Sequence, residues 1–303
     1  MKLHILNPGP LTTVQDAGRF GYMASGIGPS GAMDTEAYEA ACLLCGGSKG
    51  AAVLEATLLG PSILFEGDGV LTLTGADMGA RLDGAPLETY RAYPVKDGQT
   101  LVMSVSRDGC RSYIAVSGGI DVPVVMGSRS TNLKCQMGGI EGRALKKGDV
   151  LPVLDAVPAE SVKRCIQKPD FAQSVTVRVI PGPQDDLFTE KGLETLWNSS
   201  YHVSTSSDRM GLRLDGPSVE TVSGSDIVSD GIAFGSIQVT SAGQPIILMA
   251  DRQTTGGYAK VGTVCSLDLP KLAQLKPGGE VRMRPITVQE AQSILWMTRL
   301  GMI

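Results

Sequence analysis

The side chains of this sequence that could do chemistry gather in glycine-rich stretches. The densest is Asp251-Arg252-Gln253-Thr254-Thr255-Gly256-Gly257-Tyr258-Ala259-Lys260, directly after the apolar run Ile246–Ala250. It offers carboxylate, amide, hydroxyl, phenol and ammonium groups together, which packing alone explains poorly. Lys260 has the charge to neutralise a developing phosphate or carboxylate, and Gly256-Gly257 reads as a turn whose N–H groups let a ligand come close. Two further clusters, Thr13-Val14-Gln15-Asp16-Ala17-Gly18-Arg19-Phe20-Gly21 and Ser206-Ser207-Asp208-Arg209-Met210-Gly211-Leu212-Arg213, each put Asp near Arg amid glycine. They occupy corresponding parts of the two halves, and each fits either an ion pair bracing a turn or contact with a ligand. Ser117-Gly118-Gly119-Ile120-Asp121 is a similar loop in the first half.

Other motifs carry less. Gly26-Ile27-Gly28-Pro29-Ser30-Gly31 matches G-x-G-x-x-G, with Glu55 downstream, but no buried strand precedes it and no strand–helix alternation follows, so a dinucleotide fold is disfavoured. The loop still offers N–H groups to an anion at a helix start. Cys42-Leu43-Leu44-Cys45 has redox spacing but falls at the end of an expected helix, where the dipole opposes a thiolate; core packing explains it better. No further Cys or His pair completes a zinc set, and no metal site is read. His4 and His202 are the two histidines, His202 reads as a structural strand residue, and no P-loop occurs.

The elements expected to hold these loops are mostly strands. Val70–Thr74, Leu101–Ser106, Ser112–Val116, Val175–Ile180, Ile237–Thr240 and Ile246–Ala250 read as short strands ended by glycine-containing turns. A turn-then-strand pattern recurs at Val95–Leu101, Leu145–Leu151 and Leu275–Val281, each with Lys two positions before Gly, and it suggests similar barrel-like units in both halves. Asp83-Gly84 marks a tight hairpin. Helices are few: one over Thr35–Cys45 capped by Asp34 and ended by Gly46-Gly47, one from about Gln184 to Trp197, and one after the capping box Thr287-Val288-Gln289-Glu290. The polar segment Asp155–Ser174, with Pro158 and Pro169, reads as the connection between a unit over 1–165 and another over 166–303.

Composition bounds the partners. The 303 residues hold 27 Lys+Arg against 31 Asp+Glu, a net charge of -4, with only 2 Trp, 7 Tyr and 5 Phe, so neither the clustered cations nor the stacking rings of a nucleic-acid binder are present. No apolar run approaches the roughly 18 residues of a membrane span, the N-terminus does not read as a signal peptide, and 6 scattered cysteines make no disulfide framework. A cytoplasmic protein is expected.

Thr12-Thr13-Val14-Gln15-Asp16 with Gly18-Arg19, Ser30-Gly31-Ala32-Met33-Asp34, Ser117-Gly118-Gly119-Ile120 with Gly127-Ser128-Arg129, Pro181-Gly182-Pro183-Gln184, Ser207-Asp208-Arg209-Met210-Gly211 and Gln253-Thr254-Thr255-Gly256-Gly257-Tyr258 together resemble the KipA family. That family comprises the C subunit of bacterial 5-oxoprolinase and the second half of the carboxyltransferase domain of urea carboxylase, also called the second subunit of allophanate hydrolase. The resemblance runs in order over about residues 3 to 290. It implies two cyclophilin-like β-barrel units, a KipI-like B subunit as partner and, for 5-oxoprolinase, an A subunit of lactam-hydrolase type. No Met-Lys-Met biotinylation site and no ATP-grasp-sized segment occur, so a stand-alone carboxylase is not expected. The implied reaction is ATP-dependent activation of a lactam, with Mg²⁺ accompanying the nucleotide. Lys260 and Arg209 would then clamp phosphoryl oxygens or the substrate carboxylate, and Asp251 and Asp208 would orient those cations or bind Mg²⁺. Gln253 and Tyr258 would hydrogen-bond the substrate amide, with Thr254, Gly256, Gly257, Asp16, Arg19, Ser117 and Gly118 as further substrate contacts. The alternatives are carboxyl transfer from carboxybiotin to an amide or urea nitrogen, and a non-catalytic protein that sequesters a KipI-like kinase inhibitor.

Overall fold

The computed structural model describes residues 1–46, 50–154 and 165–300. These form two compact units, one of Met1–Tyr22 with Pro29–Ala172 and one of Met23–Gly28 with Gln173–Ile303. Half of the expected connection, residues 155–164, lies outside the described residues, as does Gly47. No described helix is long and apolar enough to cross a membrane.

The chain is mostly β, and each expected strand has a counterpart, although the one expected over Leu101–Ser106 stops at Val102 and the one over Ile246–Ala250 stops at Leu248. In the first unit a six-stranded sheet runs in the order Val150–Pro152, Lys2–Asn7, Ser62–Glu66, Thr100–Val102, Arg81–Leu82, Ala85–Pro86, and a five-stranded sheet in the order Thr12–Gln15, Val53–Thr57, Arg111–Val116, Gly69–Gly75, Arg91–Val95. The two sheets share one core that includes Leu3, Ile5, Ile63, Phe65, Leu71, Leu73, Leu101 and Leu151. The strand Arg111–Val116 is buried along its whole length because both of its faces are covered. Ile114 and Val116 point into the shared core, while Tyr113 and Ala115 pack with Ala37, Tyr38 and Ala41 of helix α1, Thr35–Leu44. Alternating direction along a strand thus serves two cores. Asp34 caps α1, its carboxylate accepting from the Ala37 N–H at 2.9 Å. Cys42 and Cys45 are buried in that layer, and burial pushes the Cys42 thiol up to about 12, so the pair packs rather than reacts.

In the second unit the strands close into a barrel: Ser174–Pro181, Lys260–Val264, Ser236–Val239, Pro245–Leu248, Gly211–Asp215, Ser200–Val203 and Glu280–Pro285, with the last pairing parallel to the first. Inward positions at every second residue supply its core, for example Val177 and Val179, Tyr201 and Val203, Val281 and Met283. The helix expected from Gln184 to Trp197 is interrupted. Asp185–Leu187 is a single 3₁₀ turn, Phe188 bridges to Thr221, and Thr189 then caps α2, Glu190–Asn198, by accepting from the Gly192 N–H. After α3, Leu269–Ala273, comes α4, Val288–Arg299, which starts with both hydrogen bonds of its capping box, Thr287 to Glu290.

The recurring turn has the same hydrogen bonds in all three copies. Gly98, Gly148 and Gly278 each sit at positive φ, at 80°, 91° and 84°. Each donates its N–H to a buried strand residue, Phe65, Ile5 or Val203, and that residue's own N–H donates back to the carbonyl of Gln99, Asp149 or Gly279. Only glycine adopts this conformation without strain, which is why the pattern is legible in the sequence. Asp83-Gly84 likewise makes the expected tight hairpin, with φ of 49° and 84°.

Asp268 locks α3 to the barrel. Its fully buried carboxylate accepts from the Arg178 backbone N–H, from Arg178 Nε and Nη2, all at 2.8 Å, and from Lys271 Nζ at 2.7 Å. Burial alone would raise its pKa, but Arg178 and Lys271 hold it below the ordinary carboxylate range. A depressed folded-state pKa gives stability that is present above the unfolded value and lost as pH falls through the folded one. Asp268→Asn is therefore expected to cost about 1–3 kcal/mol at neutral pH, with the difference from wild type shrinking below about pH 4. Urea unfolding of both proteins across that range measures it, and a difference independent of pH would contradict the assignment.

Candidate functional site

Two of the glycine-rich clusters meet at one end of the barrel. The strand Pro245–Leu248 pairs with Gly211–Asp215, Gly211 opposite Leu248, so the residues just before one strand lie beside those just after the other. The backbone continues the ladder past the strand ends, Met249 N–H to Met210 O at 2.9 Å and Asp251 N–H to Arg209 O at 2.8 Å. Side chains 42 positions apart then pair: Arg209 Nε donates to Asp251 Oδ2 at 2.9 Å and Nη2 to Oδ1 at 3.1 Å. Both side chains are 4% exposed, so this is a buried, two-pronged ion pair. Gly211 makes the approach possible, because a Cβ there would lie 2.9 Å from Ile246 Cγ2. Asp208 has a different task. It is exposed, and its carboxylate accepts from the N–H groups of Met210 and Gly211, closing its own turn.

The segment expected to turn at Gly256-Gly257 is a strand instead. Thr255–Tyr258 pairs antiparallel with Asp226–Gly231 in a separate two-stranded arm. Glycine is needed at 256 for closeness rather than for a bend, since a Cβ there would stand 2.7 Å from Gln238 Nε2 and from Ile232 Cδ1. The buried Gln238 donates to the Tyr258 carbonyl at 2.9 Å and accepts from Gln253 Nε2 at 3.5 Å, so it organises the segment from beneath. The Thr254 carbonyl accepts from the Ile232 N–H, and Tyr258 itself is 37% exposed.

Lys260 opens the next barrel strand. Its side chain is 3% exposed, and Nζ donates to Asp230 Oδ2 at 2.7 Å, whereas Asp230 is 53% exposed. Gln184 completes the clasp: its Oε1 accepts from the Lys260 N–H, its own N–H donates to the Lys260 carbonyl, and its Nε2 donates to Asp230. The Lys260 ammonium, with the Gly231 N–H and the Gln184 amide, holds the Asp230 carboxyl below the ordinary carboxylate range.

In the first unit the singled-out residues hold a loop. Asp16 Oδ1 accepts from the Gly18 N–H and from Ser128 and Ser130 Oγ, and Oδ2 accepts from the Arg129 N–H at 2.6 Å. Arg19, fully buried, donates to the Val125 and Ser130 carbonyls. Both residues thus fasten 125–130. Ser117 Oγ accepts from the Val70 N–H, and Gly118 and Gly119 follow at φ of 90° and 81°. Glu55, the acidic residue downstream of the G-x-G-x-x-G match, is buried and accepts from the Met33 N–H and Tyr113 Oη, tying the helix-entry loop to the sheet.

Sequence reasoning missed Asp230, Gln238 and the role of Gln184, because nothing in linear spacing says that Asp230 lies opposite Gly256. Arg252 was in view but given no task. Its buried guanidinium donates to the Ile232 and Met249 carbonyls. Of the two tasks expected for Asp251 and Asp208, orienting the cations or binding Mg²⁺, Asp251 takes the first by holding Arg209, whereas Asp208 accepts from its own turn. Among the described residues no group of three or more His, Cys, Asp or Glu side chains could hold a metal ion.

The second unit is thus a closed barrel whose strand ends hold a buried Arg–Asp pair and a buried lysine, and the sequence match supplies the class. The chain belongs to the carboxyltransferase domain family, subdomains A and B, whose model matches residues 25–285. It is 41% identical over 293 residues to an Escherichia coli protein named as the C subunit of 5-oxoprolinase, covering 95% of this chain and 93% of that one. A Haemophilus influenzae protein of the same name is 36% identical over 292 residues, with 96% and 94% covered. The crystal structure of Kluyveromyces lactis urea carboxylase superposes with a TM-score of 0.89 at 30% identity, over 99% of this chain but 29% of that one.

Proposed function

We propose that this chain is the C subunit of an ATP-dependent 5-oxoprolinase complex that opens 5-oxoproline to L-glutamate. The observation that carries the reading is the match along nearly the whole of both chains to relatives named as 5-oxoprolinase C subunits. A lactam is resonance-stabilised and resists water. Transfer of the terminal phosphoryl group of ATP to the lactam oxygen, with ADP leaving, makes the ring carbon electrophilic; one water adds there and the C–N bond breaks to leave an acyl phosphate, which a second water hydrolyses to glutamate and phosphate. In this reading ATP brings its own Mg²⁺, and a KipI-like B subunit shares the activation step. An A subunit of lactam-hydrolase type opens the ring, and the complex works in the cytoplasm. Lys260 and Arg209 supply positive charge toward phosphoryl or carboxylate oxygens, Asp251 positions Arg209, and Gln253 and Tyr258 address the lactam amide.

A second reading, carboxyl transfer from carboxybiotin to a urea or amide nitrogen, draws on the family description and on the TM-score of 0.89 to a urea carboxylase. The low coverage of that much longer chain, 29%, leaves the first reading better supported. ATP-dependent release of glutamate from 5-oxoproline, measured with this chain, its A and B partners and each omitted in turn, separates them. Glutamate formed only by the three together is expected. A stable complex that forms none, but carboxylates urea when given a carboxybiotin carrier, would replace the first reading with the second. Tight binding to the B partner without turnover in any combination would mark a regulator.

A further inference from the structure

Arg252 and Arg209 lie at the same end of the barrel and are equally out of water, yet their charges are handled differently. Arg209 has the carboxylate of Asp251. Arg252, 7% exposed, makes no ion pair among the described residues. The hydrogen bonds it makes go to two neutral oxygens, Nε to Ile232 O and Nη1 to Met249 O, both at 3.4 Å. Bonds from a charged donor are usually about 2.7–2.9 Å, so these are weak. Its guanidinium carbon lies 5.2 Å from the centroid of the half-buried Phe234 ring, a cation–π contact that offsets part of the cost of burial. The rest of that cost weighs on the charged form: burial pushes the Arg252 guanidinium down to about 10.

The fold fixes the backbone that carries this side chain. The Arg252 N–H donates to the Met249 carbonyl, the Ile232 N–H to the Thr254 carbonyl, and Gly28 lies so close that a Cβ there would be 2.8 Å from the Arg252 oxygen. A cation held out of water without a counterion is destabilising, and a chain keeps one where something else supplies the anion. We infer that Arg252 receives a compact anionic group of a ligand, a carboxylate or a phosphoryl group, with the Phe234 ring bracing the guanidinium. A guanidinium fork suits the two oxygens of either anion. The inference rests on the 5-oxoprolinase reading for the ligand's identity, since 5-oxoproline carries a carboxylate and ATP carries phosphoryl groups, whereas urea carries neither.

The test titrates three probes into the full chain, alone and assembled with its partner subunits: 5-oxoproline, 2-pyrrolidinone (the same lactam without the carboxylate) and inorganic phosphate. Wild type is expected to bind at least one anion more tightly than 2-pyrrolidinone. In Arg252→Met that preference is expected to fall by about tenfold or more. The anion whose binding collapses identifies the source, carboxylate or phosphoryl. Without ligand, Arg252→Met is expected to melt no lower than wild type, because an apolar stem replaces an uncompensated buried cation; a purely structural arginine would instead lower the melting temperature. Should the methionine variant not fold, Arg252→Gln is read in its place.

The inference is overturned if neither anion is preferred by wild type, or if the neutral variant keeps the full preference. Unchanged turnover and KM for both 5-oxoproline and ATP in a complex carrying Arg252→Met would overturn it while leaving the 5-oxoprolinase reading intact. Arg252-dependent phosphate binding in a chain whose complex never turns over 5-oxoproline would support it while removing that reading.

Discussion

Replacing Asp251 with alanine is expected to destabilise the chain by about 3–5 kcal/mol, the cost of leaving a buried arginine without the carboxylate that balances it. The pair is 4% exposed on both sides and bonded at 2.9 and 3.1 Å, so neither water nor salt can replace the missing partner. The two residues also share the backbone bond from Asp251 N–H to Arg209 O, so loss of the side-chain pair loosens the junction between two barrel strands. Urea unfolding of the full chain measures the effect. The double variant Arg209→Met with Asp251→Leu removes both charges, and it is expected to recover most of the stability while leaving the complex inactive. A single variant as stable as wild type would show that Asp251 does not balance Arg209. A double variant with full activity would remove the pair from the functional site.

How much of this was legible beforehand depends on whether a feature is local. The Asp34 cap and the Thr287–Glu290 capping box use residues within a few positions of one another, and so do the three Lys-x-Gly turns, closed by the N–H groups of Gln99, Asp149 and Gly279 donating to the Lys96, Lys146 and Lys276 carbonyls; each appears where the sequence puts it, whereas the strands those turns clasp are distant in sequence. The closed barrel is non-local, but its strands announce themselves by alternation, so the class was readable while the strand order was not. Gly256-Gly257 misled because glycine permits two opposite things, a bend and a close approach. Tertiary packing against Gln238 and pairing with Asp226–Gly231 selected the second. The helix from Gln184 broke for a similar reason, as Thr189 is a strong cap and Phe188 finds a strand partner in Thr221.

The candidate site divides along the same line. Asp16 and Arg19 were singled out by composition, and the structure gives both the work of fastening the loop 125–130, which no spacing rule relates to them. Asp208 and Arg209 are neighbours in sequence with unrelated roles, one closing an exposed turn and the other buried against Asp251. Composition found the cluster, but only the fold sorts the residues that carry charge into the site from those that build the turns around it.

The second large effect is expected at Lys260. Its ammonium is buried to 3% exposure while its partner Asp230 is half in water, so the pair is asymmetric: the carboxylate can turn outward to solvent, but the lysine is held by its strand. Gln184 fixes that strand position through both backbone groups of Lys260 and touches Asp230 as well. A fixed cation of this kind, facing charge that develops on a phosphoryl or carboxylate oxygen, typically contributes about 10²–10³ in kcat. Lys260→Met, which keeps the apolar stem, is therefore expected to lower kcat of the reconstituted complex by about that factor with its assembly unchanged. Asp230→Asn separates positioning from charge. It keeps the lysine and removes only its tether, so a smaller loss of kcat is expected. Full activity of Lys260→Met in an assembled complex would assign the lysine to structure. Equal losses in both variants would show that the Asp230–Lys260 ion pair, rather than the lysine charge, is what the site requires.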